Sequence, residues 1–211
     1  MLHVEPGQHV DGVTLVDEDW YGRELVEIRF TGCTFTDVDL TEVTSRGAVF
    51  EDCRFAGCRF NASVHTGSAF TGCRFSRCSF FDARFSGCKL TGAELTSCEL
   101  EPLHVDGGNW SFVRITEAQV KGSRWHEVRL VEAELAGTDL TGSTFERCDL
   151  HGADLSGANL TDCDLRGSTL TGVLTRSAAR APRWAGARID LSQAVTLAED
   201  LGLHVELSDQ R

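Results

Sequence analysis

Large apolar residues recur at every fifth position along most of this chain, and that period limits the possible fold more tightly than anything else in the sequence. The series runs from Trp20 through Leu25, Phe30, Phe35 and Leu40 to Leu160, Leu165 and Leu170, and among its 31 positions only Ser45 and His65 break it. Two residues before each large side chain sits a small one, as at Cys33, Ala48, Cys53, Ser68, Ala93 and Ala158. Two residues after it a glycine is frequent; sixteen occupy that phase between positions 20 and 172. Five residues advance an α-helix by about 500°, and in an unbroken strand every second large residue would point outward. Each pentad therefore contains a corner. The small and large residues, two apart, face inward as in a strand, and the glycine supplies the permissive backbone at the bend. Such coils bury a continuous core only by stacking on one another, which makes the fold an all-β solenoid.

The bulk composition fits one such unit, with 41% apolar residues in 211. A formal net charge of −12 argues against nucleic acid or an anionic membrane as partner, because those polyanions attract Lys and Arg. A basic partner is expected. MLHVEPGQHVDGV at the start has no positive region followed by an apolar run, and no stretch approaches 18 apolar residues, so a cytoplasmic location is expected. All nine cysteines sit in the small inward phase and form no CxxC pair, so they are read as buried hydrophobes, with no metal, disulfide or cofactor expected.

The repeat resembles the pentapeptide-repeat family, whose consensus segments such as ADLSGANLTDCDL (153–165) match closely over about 150 residues. The resemblance implies a right-handed, four-sided β-helix with 20 residues per coil. On that basis residues 1–17 are a lead-in, 18–174 form the β-helix and 175–211 a C-terminal cap. Seven to eight coils at ~4.8 Å give a rod roughly 35–40 Å long.

With residues 20 apart placed above one another, the outward positions sort into four sides. Ser45 and His65 stack, as a buried imidazole sharing a hydrogen bond with a hydroxyl would require. The side that carries Trp20, Leu40 and Phe60 displays Asp19, Asp39, Glu42, Asp82, Glu99, Glu101, Asp139 and Asp162 against Arg59 and Lys121, a net −6; each other side sums to −1. This acidic side is the candidate partner-binding face. About 38 Å of duplex DNA carries roughly 22 charges, so imitation of DNA would need shape and further faces as well. Exposed Phe81 and Phe112 are candidate contact residues, and EPLHVDGGNW (101–110) is expected to be locally irregular.

Beyond Leu174 the period is read as ending. Asp190 or Ser192 can cap a helix with apolar positions Leu191, Ala194, Val195, Leu197, Ala198 and Leu201, and Gly202 can end it. LHVEL (203–207) is expected to be a strand. ARIDLSQAVTLAEDLGLHV and SRGAVFEDCRFAGCRFNASVHTGSAF resemble the mycobacterial fluoroquinolone-resistance branch of the family, related to the Qnr proteins. That resemblance implies a homodimer joined through Trp184, Ile189, Leu191, Val195, Leu201, Leu203, Val205 and Leu207. It also implies binding to DNA gyrase, with topoisomerase IV as a further target, in place of DNA and with protection from fluoroquinolones. Immunity to another topoisomerase poison, or an unrelated partner such as a small GTPase, stays open. The cluster Arg176, Arg180, Arg183 and Arg188 has no assigned role. No catalytic residues are expected: the histidines are dispersed, G-x-S-x-G, P-loop and H-E-x-x-H motifs are absent, and a filled convex rod offers no deep pocket.

Overall fold

The pentads stack into a solenoid in which every strand pairing is parallel. The computed structural model describes residues 5–173 and 181–206. Three sides carry three-residue strands, numbered in chain order. One sheet holds β1 (His9–Asp11), β4 (Arg29–Thr31), β7 (Val49–Glu51) and β10 (Ala69–Thr71). A second holds β2 (Thr14–Val16), β5 (Thr34–Thr36), β8 (Arg54–Ala56), β11 (Arg74–Ser76), β13 (Glu94–Thr96) and β15 (Arg114–Thr116). The third holds β3 (Glu24–Val26), β6 (Thr44–Arg46), β9 (Val64–Thr66), β12 (Arg84–Ser86), β14 (His104–Asp106), β16 (Arg124–His126) and β17 (Thr144–Glu146). The fourth side is a ladder of single bridges, from Asp19↔Asp39 up to Asn159↔Arg183. Each strand contacts its neighbour at an offset of twenty, as in Leu15↔Phe35 and Ser45↔His65, so one pentad makes one side of the coil.

Corners fall at the glycine phase. There the backbone enters the left-handed region, at Gly22 (φ 63°) and equally at non-glycines such as Glu42 (57°), Asp82 (54°) and Asp162 (57°). A side chain with a Cβ costs about 1–2 kcal/mol in that conformation, which is why glycine dominates the phase. Inside, the large residues form columns of stacked rings, such as Phe30–Phe50 (5.1 Å apart, 8° between planes) and Phe50–Phe70 (4.7 Å, 5°). All nine cysteines are reduced and buried. Burial pushes Cys88, Cys148 and Cys163 up to about 11, so they remain thiols at neutral pH.

The two breaks in the apolar series make one hydrogen-bonded group. Ser45 Oγ lies 2.7 Å from His65 Nδ1 and 2.8 Å from Ser68 Oγ, and Ser63 Oγ lies 3.0 Å from His65 Nε2. Ser63 donates its own proton to the Phe60 carbonyl (2.6 Å), so it accepts from His65, which puts the imidazole proton on Nε2 and leaves Nδ1 to accept from Ser45. Burial alone holds His65 down to about 3, well below an ordinary histidine.

Two boundaries differ from those read in the sequence. Coils begin inside the supposed lead-in 1–17, because β1 pairs with β4 and β2 with β5, with Val10 and Leu15 in the large inward phase. At the other end the period does not stop at Leu174. Asn159↔Arg183 and Asp164↔Arg188 are bridges with an offset of 24 instead of twenty, so four extra residues precede one more pair of pentads. Trp184 and Ile189 take the large positions, Ala187 a small one, and Gly186 (φ 71°) the corner.

Helix α1 (Leu191–Asp200) covers that end. Asp190 caps it and Gln193 completes a capping box. Gln193 is also buried against the last coils, donating from Nε2 to the carbonyls of Leu165 (2.5 Å) and Ser168 (2.7 Å). Asp190 accepts from the backbone N–H of Gly167, and Asp200 from that of Gly172, so the helix satisfies backbone groups an open solenoid end would strand. The strand expected at LHVEL is not formed over residues 203–206; Leu207 lies outside the described residues, as do Arg176 and Arg180.

Candidate functional site: the acidic side of the rod

The ladder of single bridges is the side that the sequence marks as acidic, and its eight carboxylates are not equivalent. Three are engaged within the rod. Asp39 lies 2.8 Å from Arg59 one coil above and accepts from the N–H of Thr41 (3.0 Å). Asp139 lies 3.4 Å from Lys121 and accepts from Thr141 Oγ1 and Asn159 Nδ2. In both, burial raises the carboxyl but these hydrogen bonds and cations outweigh it, leaving each below the usual aspartate range. Asp82 is 3.0 Å from Arg84 and 3.1 Å from His104, both of which belong to the neighbouring side. Sorting residues by side could not reveal that last contact, because it reaches around a corner.

The other five make no ion pair among the described residues. Asp19 accepts from the N–H of Tyr21, whose hydroxyl the nearby carboxylate of Glu42 holds above its ordinary value. Asp162 folds over Gly186, where a Cβ would meet its Oδ1 at 2.1 Å. Glu99 is exposed and Glu101 half-exposed, and beside them Phe81 is 57% exposed on the same side; Tyr21 is 56% exposed further down. The effective negative surface is therefore Asp19 and Glu42 low on the rod, Glu99 and Glu101 at mid-height, and Asp162 near the helix.

The other predicted residue set lies at the helical end. Trp184, Ile189 and Val195 are half-buried, while Leu191, Leu201, Leu203 and Val205 are exposed. Trp184, Ile189, Leu197 and Leu201 line an open apolar cleft of about 530 Å³. Among the described residues no group of His, Cys, Asp and Glu is arranged to hold a metal, and no helix is long and apolar enough to cross a membrane.

A period of five, a corner in each pentad and the inward pairing of small and large residues define one architecture. The family model for pentapeptide repeats matches residues 25–64, 66–100, 111–147 and 133–172, in eight copies. The chain belongs to the pentapeptide-repeat family. Similar solved structures include a trypsin-treated form of QnrB1, a plasmid-mediated fluoroquinolone resistance protein, at 22% identity with TM-score 0.45, covering 95% of this chain and 92% of that one. Another is HetL from the cyanobacterium Nostoc, a pentapeptide-repeat protein involved in heterocyst differentiation regulation, at 17% identity and TM-score 0.39, covering 86% and 87%. No curated protein matches the chain.

Proposed function

We propose that this pentapeptide-repeat rod is a binding protein that engages DNA gyrase in place of DNA, through its acidic side, and so protects the enzyme from fluoroquinolones. The observation that carries the reading is the set of five carboxylates without ion pairs among the described residues, spaced at three heights along one side of a filled rod. A site that binds the phosphates of a duplex presents Lys and Arg, and a stiff surface with fixed carboxylates meets it without ordering either partner. The sequence resemblance to the fluoroquinolone-resistance branch supplies the choice of enzyme. Topoisomerase IV, which also cradles duplex DNA, is the second target.

The apolar helical end supports a homodimer as the acting form. Leu191, Leu201 and Leu203 expose 73%, 70% and 60% of their surface around an open apolar cleft, as an unpartnered interface would. A two-fold pairing of these ends would join two rods into one longer acidic surface.

The test is supercoiling by purified gyrase, titrated with the purified protein with and without ciprofloxacin. Inhibition, or rescue of the enzyme from the drug, is expected. No effect with the protein well in excess of gyrase would remove this reading.

A further inference from the structure

We propose that the side of the rod formed by β12, β14 and β16 carries a binding site for a phosphate group, either free phosphate or the phosphate of a small phosphorylated molecule. This site lies on a different side of the coil from the acidic one, joined to it only through Asp82, and does not rest on the gyrase reading.

Register places Arg84 directly beside His104, and His104 directly beside Arg124. With coils ~4.8 Å apart, two guanidinium groups and an imidazole project from a column about 10 Å long. On the second sheet acids stand close by in the column, where Arg74 meets Glu94 at 3.4 Å and Arg114 meets Glu134 at 2.8 Å, although Arg54 and Arg74 are also direct neighbours there. In the column of Arg84, His104 and Arg124 the flanking residues are Val64 and Thr144, and the acids Glu24 and Asp164 stand only further out. Asp82, from the corner below, is shared by Arg84 and His104, and Arg124 makes no ion pair or side-chain hydrogen bond among the described residues.

The same three side chains, with Val64, His126 and the carboxylate of Asp106, line a shallow depression of about 350 Å³. Its far edge is fixed, because Asp106 lies 2.7 Å from His126 Nδ1 and holds that ring in place. Each guanidinium is a planar fork of donors, and a phosphate offers enough oxygens to accept from both while the imidazole meets it between them. A carboxylate, with two oxygens, matches one fork and not the pair.

The experiment is an NMR titration of the whole protein, following the arginine Nε–H and histidine ring signals, with inorganic phosphate, glycerol phosphate, acetate and chloride at matched ionic strength. Phosphate is expected to give saturable shifts confined to Arg84, His104 and Arg124. Arg124→Gln should weaken binding roughly tenfold, the loss of one charge-assisted hydrogen bond, and Arg74→Gln should leave it unchanged. Equal affinity for glycerol phosphate would assign the site to phosphorylated molecules, and its exclusion would assign it to the free anion. Acetate or chloride acting as well as phosphate, shifts that never saturate, or an unaltered Arg124→Gln would each overturn the proposal.

Discussion

The lower and upper halves of the rod solve the same packing problem with different residues. Up to Phe85 the large inward positions are mostly phenylalanine, and the rings stack coil on coil: Phe35–Phe55 at 4.6 Å, Phe55–Phe75 at 4.8 Å, Phe60–Phe80 at 4.7 Å. From Leu90 onward leucine takes over, and Trp110 joins the halves, edge-on to Phe85 at 5.4 Å and to Trp125 at 5.1 Å. A flat ring packs best over another ring, so aromatic positions propagate in steps of twenty; leucine makes no such demand. The small partners change less: cysteine holds five of these positions up to Ala83 and four from Cys88 onward, where alanine and serine together hold eight. Backbone pairing thins as well, since beyond position 130 the described residues keep one three-residue strand, β17, and otherwise single bridges. The phase of the repeat therefore sets the coil, while the identity of the large residue sets how firmly successive coils are held together.

The largest expected effect tests that statement directly. Phe55→Ala removes the centre of a three-ring stack and should cost about 3–5 kcal/mol, and Leu155→Ala, equally buried in the upper half, about 2–4 kcal/mol. Chemical denaturation followed by near-ultraviolet circular dichroism would measure both. The excess for Phe55 is expected to be about 1 kcal/mol, the contribution of ring geometry beyond area. Equal losses would mean that the rings act through volume alone.

Gly108 sits at the junction of the two halves and separates crowding from backbone strain. Its φ is 98°, and a Cβ would lie 2.1 Å from the carbonyl oxygen of Cys88 and 2.8 Å from that residue's nitrogen, both rigid backbone. Gly92, at an ordinary corner with φ 66°, has nothing within 4 Å of the same atom. Gly108→Ala should destabilise by roughly 2–4 kcal/mol and Gly92→Ala by about 1 kcal/mol. A similar small cost at both would show that the coils shift freely at the junction.

His65 makes the lower half sensitive to mild acid. Its folded value, about 3, lies below the unfolded value of 6.5, so the unfolded chain binds the extra proton. The stabilisation is complete above pH 6.5 and falls as pH drops from there towards 3. Between pH 6.5 and 5, before most carboxylates titrate, the slope should approach 1.4 kcal/mol per pH unit. His65→Phe, which can stack on Phe85 as the imidazole does at 4.7 Å, should flatten that limb while losing the bonds to Ser45 and Ser63. Thermal unfolding against pH for both proteins would decide it; an unchanged slope in the variant would assign the acid limb to other groups.

How much of this was legible in the sequence follows from which interactions obey the period. The inward columns, the left-handed corners and the meeting of Ser45 with His65 are all consequences of one phase, and the phase is visible in the letters. Val10 and Leu15 already stood in that phase, so the earlier start of the coils was readable too. Trp184, Gly186, Ala187 and Ile189 repeat the pentad grammar but four residues late, and a fixed register hides them. The strand expected at LHVEL failed for a different reason: alternation of apolar residues describes a strand only where an edge is available to pair with, and residues 203–206 have none among the described residues. Least readable were contacts that turn a corner, such as Arg84 and His104 with Asp82, because they depend on side-chain reach.

That limit changes which charges should matter on the acidic side. Reversal of Asp39 or Asp139 removes a carboxylate already committed to Arg59 or Lys121, so its first effect is on the rod: up to about 1 kcal/mol of stability for partly exposed pairs, with little change in binding to a basic partner. Glu99→Lys with Glu101→Lys touches no such pair and should leave unfolding unchanged. Its effect belongs to association, as a slower on-rate with gyrase and a shallower dependence on salt, because unpaired charges steer encounter. Surface-plasmon kinetics at two salt concentrations would compare the variants. Should Asp39→Lys weaken association as strongly as the Glu99 and Glu101 pair, the intramolecular ion pairs would have to open in the complex, and the whole column, paired or not, would form the contact.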